Sequence, residues 1–514
     1  MTIELDGESL TPADVVAVAR KNESVTVPEA TLEAVRSSRA RVERVVESEE
    51  PVYGLNTGFG QLVTERIPED DLERLQTNLI RSHAAGAGRE LRRAEVRALM
   101  LTRLNALVKG YSGVRERVVT HIETMLNEGI HPIVTSRGSL GASGDLAPLA
   151  HMSLVLIGEG EAIVDGERRS GETALRAAGL EPLSLAAKEG LALINGTQLT
   201  VGLAALTLVD AEQALQAADV AGALTTEVTM GTTASCDPAI QRVRPHRGQS
   251  ISAENVRNVT EQSEIVESHR NCDRVQDAYS IRCLPQVHGA VRDAVSHLRE
   301  AIEVELNSAT DNPLIFSAAE TDDRASGTDD VGVISGGNFH GEPLGLRLDY
   351  ATTALTDLAA ICERRVDRLL NPNVQEAHLP PFLTEQSGLR SGYMIAQYTA
   401  ASLVNENRSL GPASIDNTPV SGGQEDHVSM SAQSAFNARR VVENTTRTVA
   451  VELLCGAQAL EFVDSDLSPG VGTARAYERI RDHVPPLRED RPLREEIETV
   501  TQLIRSGTFI DGIL

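Results

Sequence analysis

The chain has 514 residues, more than one simple core accommodates, so two or three packed regions with ample buried area are expected. It lacks Trp, carries 3% aromatic residues and is rich in Ala, Leu, Glu and Arg, a mix that favours helix. A formal charge of -26, uninterrupted by any Lys/Arg cluster, repels phosphate backbones and anionic lipid and argues against nucleic-acid and membrane partners.

The N-terminal stretch MTIELDGESL has neither a basic nor an apolar leader region, and the apolar runs beyond it fall short of a membrane span, so a soluble, intracellular protein is expected. Thr11-Pro12 pairs an N-cap residue with Pro at the first helical position and predicts an early helix. Tyr53-Gly-Leu-Asn-Thr-Gly-Phe-Gly60 holds three glycines in eight residues and reads as a mobile loop. Ala162 to Glu167 joins a short β-type run to an Asp-Gly turn, which predicts a small hairpin. From Gln198 to Thr229, and again from Leu284, Pro343, Ser391 and Ser431 onward, Ala/Leu/Val-rich stretches with helical spacing predict long buried helices. Ala318 to Gly332 is acidic, small and aperiodic, the pattern of an exposed loop or insertion.

These elements predict a mainly α fold with minor β-hairpin content. Residues 1–197 form an N-terminal region with the glycine-rich segments, 198–460 a central helical bundle and 461–514 a C-terminal helical or loop segment. Cys236, Cys272, Cys283, Cys362 and Cys455 are odd in number and lack CxxC pairs, which suggests neither a disulfide framework nor a zinc site and fits a reduced cytoplasm. Of 48 basic residues only Lys21, Lys109 and Lys188 are Lys. Beneath the acidic excess this reads as a halophilic surface, and drift in a GC-rich genome gives the same bias.

The densest chemistry lies in Gly138-Ser-Leu-Gly-Ala-Ser-Gly-Asp-Leu-Ala-Pro-Leu-Ala-His151. Its glycines do not make GxGxxG, it lacks the Walker Lys, and Gly144-Asp145 after Ser143 breaks GxSxG. Taken alone, an Asp-capped glycine turn is structural. Nearly residue for residue, however, the stretch resembles the signature of the aromatic amino acid ammonia-lyases, in their histidine-using branch. That resemblance runs over essentially the whole chain and recurs in independent segments.

The resemblance implies that Ala142-Ser143-Gly144 cyclises and loses water to give a methylidene-imidazolone (MIO), an electrophile made from the chain with no external cofactor. The residue types suit that chemistry. Gly144 offers an unhindered nitrogen to the Ala142 carbonyl, Ser143 a leaving hydroxyl, and Gly141 a tolerance for strain. The implied reaction removes ammonia from L-histidine to give trans-urocanate. Its β-hydrogen is too weakly acidic, and its amine too poor a leaving group, for ordinary acid/base catalysis.

By the same resemblance Tyr53 is a base or proton relay, Asn195 of Asn-Gly-Thr-Gln198 hydrogen-bonds near the MIO, and Tyr279 assists amine or proton handling. Gln276, Tyr279 and Arg282 stand three residues apart and share a face if helical. Arg282 would clamp the substrate carboxylate and Gln276 orient the site. Phe339 of Gly-Asn-Phe-His340 would pack in the pocket, and Glu425 of Gln424-Glu-Asp-His-Val-Ser-Met430 would lie near the substrate. Two competing readings use the same fold: a tyrosine or phenylalanine lyase or aminomutase, and a catalytically silent scaffold. Ser82-His83 at the substrate-selecting pair and the Glu425 carboxylate suit an imidazole rather than a phenyl ring. The family further implies a homotetramer with active sites shared between subunits.

Overall fold

A computed structural model describes residues 2–48, 52, 54–55, 69–270, 272, 274–415, 417–510 and 512–514 of the protein. The chain is mainly α, with 58% helix, 8% strand and only small sheets. It forms two compact units. The first comprises 1–206, 299–349 and 412–436, and the second 207–298, 350–411 and 437–514. The helices Gln198–Val228, Leu284–Leu306, Glu342–Leu370 and Ser431–Leu460, which begin where the sequence pattern put them, each supply residues to both units.

In the first unit, the helix Pro12–Lys21 starts at a reciprocal cap. The Asp14 amide donates to Thr11 Oγ1 at 3.2 Å, and the Thr11 amide donates to the Asp14 carboxylate at 3.0 Å. Helix Arg93–Val108 is buried from Glu95 to Val108. Helix Leu146–Leu156, LAPLAHMSLVL, has no charged side chain and is almost wholly buried, as a helix apolar on every side must be. The Asp-Gly hairpin forms as Glu161–Val164 paired with Glu167–Ser170, with Asp165 at φ 53° and Gly166 at φ 81°. Positive φ at both turn residues is what a two-residue hairpin of this twist requires.

The segment 318–332 departs from its expectation. It belongs to a three-stranded antiparallel sheet of Leu314–Ser317, Ser326–Thr328 and Val331–Ile334. Val331 and Val333 join Val42, Val45, Val52, Leu55 and Ile315 in one apolar cluster. The acidic residues occupy the connections, and the strands are too short for their alternation to stand out from them.

The second unit packs apolar helices around a buried charge network drawn from four of them. His288 Nδ1 lies 2.8 Å from Asp219 Oδ1, and Asp219 Oδ2 accepts from Arg292 and Asn255, each at 2.7 Å. His288 Nε2 is 3.2 Å from both Arg365 terminal nitrogens. Arg365 then grips Glu452 with two bonds, of 2.5 and 2.9 Å. Burial pushes His288 down, keeping it neutral, so Nδ1–H donates to Asp219 and Nε2 accepts from Arg365. Burial alone would raise Asp219, but the His288 bond and the Arg292 charge hold its carboxyl below the ordinary value. Among the described residues no helix is long and apolar enough to cross a membrane. The five cysteines are free, with Cys236, Cys362 and Cys455 buried.

Removing one member of such a network strands a charge in the interior. Glu452→Gln is expected to destabilise the protein by about 3–5 kcal/mol in equilibrium chemical denaturation. The paired Arg365→Met, Glu452→Leu variant removes both charges and should lose less than Glu452→Gln. Equal or larger loss in the pair would contradict this account.

Candidate active site

The turn between strand Thr135–Arg137 and helix Leu146–Leu156 is set by contact with a second loop. Gly144 has φ +81°, and a Cβ there would stand 2.2 Å from the Gly196 carbonyl oxygen and 2.5 Å from its nitrogen. Only glycine permits that approach. The two residues form a bridge, and the Asp145 amide donates to the Gly196 carbonyl at 2.6 Å.

Asp145 is fully buried, and its carboxylate accepts from Ser139 Oγ at 2.7 Å, the Thr200 amide at 2.8 Å and Thr200 Oγ1 at 3.2 Å. Burial raises its carboxyl while these donors draw it back down. On the far side of the turn, the Gly141 carbonyl accepts from Ser429 Oγ at 3.0 Å and from the Gly341 amide at 3.2 Å.

Asn195 stands at the C-terminus of the helix Glu189–Ile194. Its Nδ2 donates to the Ser143 carbonyl at 2.7 Å, and its Oδ1 is buried without a partner among the described residues. Beneath it, the fully buried Arg103 donates to the Asn195 carbonyl at 2.8 Å, to Gln198 Oε1 at 2.7 Å and to the Ala192 carbonyl. Burial lowers this guanidinium to about 10, so it remains charged at neutral pH.

A cavity of about 600 Å³ opens over the turn. Of the residues singled out from sequence, Ala142, Ser143, Asn195, His83, Phe339 and Glu425 line it, and Gly144 lies in the turn beneath. Ser143 Oγ donates to Glu425 Oε1 at 2.9 Å. His83 Nδ1 is 2.8 Å from the Leu79 carbonyl, so Nδ1 carries the proton and Nε2 is the acceptor. Tyr53 lies outside the described residues. Gln276, Tyr279 and Arg282 belong to the second unit and are not among the lining residues.

The shared helical face expected for those three is not formed. The helix spans only Tyr279–Arg282, and Gln276 precedes it. Arg282 still reaches Gln276 Oε1 by a hydrogen bond, and Tyr279 is 73% exposed. Sequence reasoning missed Asn312, His340 and His427 in the cavity wall. Asn312 accepts from the Gly336 amide at 2.7 Å and donates to Ser335 Oγ at 3.0 Å, clamping the loop before Phe339. His340 and His427 stand inside motifs already quoted, so their positions were visible but their use was not.

A sequence model described as aromatic amino acid lyase matches residues 10–482, and the chain belongs to that family. A Halobacterium salinarum protein named "Probable histidine ammonia-lyase" is 63% identical over 511 residues, covering 99% of this chain and 97% of that protein. The protein named histidine ammonia-lyase from Gloeobacter violaceus is 50% identical over the same shares of both chains. Among solved structures, tyrosine aminomutase from Streptomyces globisporus superposes with a TM-score of 0.91 at 38% identity, covering 99% of this chain and 98% of that one. Histidine ammonia-lyase from Trypanosoma cruzi gives 0.90 at 39%, covering 99% and 94%.

Close to the turn, Thr197 Oγ1 donates to Glu305, whose carboxyl is pushed up to about 6, by burial first and by the Asp145 charge as well. The folded chain therefore holds this proton more tightly than the unfolded chain, where Glu titrates near 4.5. Its contribution is full below that lower value and is lost as pH rises through about 6. Glu305→Gln keeps an acceptor for Thr197 but cannot ionise. Denaturation across about pH 4 to 7 should show stability falling less with rising pH in the variant than in the wild type. An unchanged slope would rule the assignment out.

Proposed function

We propose that the protein is a histidine ammonia-lyase, removing ammonia from L-histidine without oxidation to give trans-urocanate, the first step of histidine degradation. The observation that carries this reading is the Ala142-Ser143-Gly144 turn facing a cavity that also holds Glu425 and His83. The relatives point the same way. Full-length relatives bearing that name share 47–63% identity with this chain, while the solved histidine ammonia-lyase and tyrosine aminomutase share 39% and 38%.

The residues of the turn fit an MIO group made from the chain itself. Gly144 has no side chain to obstruct its nitrogen, and Asn195 Nδ2 already donates to the Ser143 carbonyl. Among the described residues no donor reaches the buried Asn195 Oδ1, so a bound group can use it as an acceptor. The group supplies an electrophile that activates the substrate covalently. Around it the chain's own residues bind, orient and move protons. Loss of the Ser143 hydroxyl frees the Glu425 carboxylate, which then accepts an imidazole N–H, while His83 lines the same cavity and narrows it to a polar ring. Phe339 packs on the substrate ring. Arg282, oriented by Gln276, takes the carboxylate in a charge-assisted fork. Tyr53 serves as base or proton relay, and Tyr279 assists amine or proton handling.

The working form is a homotetramer with active sites shared between subunits. The exposure of Tyr279 and Arg282 in the second unit suits that arrangement. Five free thiols suit a reduced cytoplasm.

A urocanate assay tests the reaction. The wild type should release urocanate from histidine, and Ser143→Ala should remain folded, lose nearly all turnover and lack the ultraviolet difference absorbance of MIO. Near-wild-type turnover in Ser143→Ala would refute the mechanism.

The same reading includes adaptation to high salt, because the -26 charge repels itself wherever it is unscreened. The screening length is about 30 Å at 0.01 M and about 3 Å at 1 M salt. Melting temperature and assembly state should both fall on transfer from about 2 M to about 0.05 M salt. Identical values at the two concentrations would exclude a halophilic surface.

A further inference from the structure

Two segments of the cavity wall are joined by an imidazole pair to which the proposed mechanism gives no role. His340 follows Phe339, and His427 stands two residues after Glu425. Their rings lie 6° from parallel with centroids 5.8 Å apart. His340 also makes a second contact with the same residue, its Nε2 lying 3.2 Å from the His427 carbonyl oxygen. A carbonyl can only accept, so Nε2 carries the proton and Nδ1 is left as an acceptor. That nitrogen receives the Glu342 amide at 3.4 Å, so one tautomer satisfies both contacts.

Each partner is itself anchored. The His340 amide donates to the Gly337 carbonyl at 2.9 Å, closing the turn that carries Phe339. On the other segment, Asn417 donates to the Asp426 carbonyl at 2.7 Å and accepts from the Val428 amide at 2.9 Å. The backbone before and after His427 is thus held by Asn417, and the carbonyl of His427 by His340. The Val420 amide donates to the Glu425 carbonyl at 3.0 Å, leaving the Glu425 carboxylate at the cavity wall beside Ser143.

We propose that His340 is a positioning residue for substrate selection: by clamping the His427 carbonyl and stacking on its ring, it sets the Glu425 carboxylate where it receives an imidazole. This inference rests on the reading of Glu425 as the imidazole-binding carboxylate. A residue needed only for folding would weaken every ligand alike. A residue acting through Glu425 weakens an imidazole ligand and spares its phenyl counterpart.

The test uses the full-length enzyme and direct calorimetric binding of urocanate and of cinnamate, in which phenyl replaces imidazole. His340→Ala should weaken urocanate about tenfold, the scale of one well-made neutral hydrogen bond, with cinnamate unchanged. His340→Gln, whose amide can still donate to the His427 carbonyl, should restore most of the loss. In a double-mutant cycle, His340→Ala should add little to Glu425→Gln, because both act on one contact. Equal weakening of both ligands, an unchanged ratio in His340→Ala, or strictly additive losses would overturn the proposal. If Glu425→Gln leaves the urocanate-to-cinnamate ratio unaltered, the reading of Glu425 fails and this inference falls with it. If Glu425→Gln shifts the ratio and His340→Ala does not, only the inference falls.

Discussion

The contact between the backbones of Gly144 and Gly196 is the constraint on which the rest of the site depends. A bridge at this range leaves room for no side chain on Gly144 and fixes one loop against another at the atoms where chemistry is proposed. It would mean little if either loop could slide. Asp145 prevents that on one side, its buried carboxylate satisfied by Ser139 and by two donors from Thr200. The Gly141 carbonyl prevents it on the other, held by Ser429 and Gly341. Buried polar groups so fully paired resist displacement, because any shift leaves one of them unsatisfied in a medium without water. The glycine-rich turn is therefore a rigid platform even though its composition suggests a loose loop.

The second unit solves a related problem by other means. Long helices rich in Ala and Leu can slip by a turn with little loss of apolar contact, so hydrophobic burial alone specifies their register weakly. The network from Asp219 through His288 and Arg365 to Glu452 cannot slip, since each member has one geometry in which its partners are met. Arg365 also donates to the Ser280 carbonyl at 3.3 Å, which ties the short Tyr279–Arg282 helix to the same network. A segment that exposes Tyr279 and Arg282 is thereby held through the Ser280 carbonyl and the buried Ile281.

Much of this was legible in the sequence, because local signals decided it. The Thr11 cap, the Asp165-Gly166 hairpin and the starts of the long helices all follow from residues within a few positions of one another. The site turn was legible through its resemblance to a family rather than through its spacing. What escaped was non-local. Asn312, His340 and His427 acquire their roles only when loops distant in the chain meet, and no periodicity marks them. The sheet strands in 314–334 were hidden by acidic connections. The expected common face for Gln276, Tyr279 and Arg282 assumed a helix that extends back past Tyr279, whereas it begins there, after Asp277 has been tied to Arg274 and the Thr232 amide.

A guanidinium buried beneath the cavity with no carboxylate bonded to it among the described residues calls for a physical reason. Among the described residues no carboxylate is hydrogen-bonded to Arg103, although the Asp311 charge acts on it; its bonds go to two backbone carbonyls and one side-chain amide. Two of these acceptors, Ala192 and Asn195, belong to the C-terminal turn of the helix Glu189–Ile194, where unpaired carbonyls gather partial negative charge. The cation thus replaces the missing helical donors and is solvated by aligned dipoles in place of water. Lysine could not serve equally well, since a single ammonium lacks the planar fork that reaches several oxygens at once. The consequence is transmitted upward. Fixing the Asn195 carbonyl from below fixes its backbone, and with it the side chain whose amide donates to Ser143 and whose oxygen remains open among the described residues. One cation, buried where screening is weakest, thus holds the floor of the site.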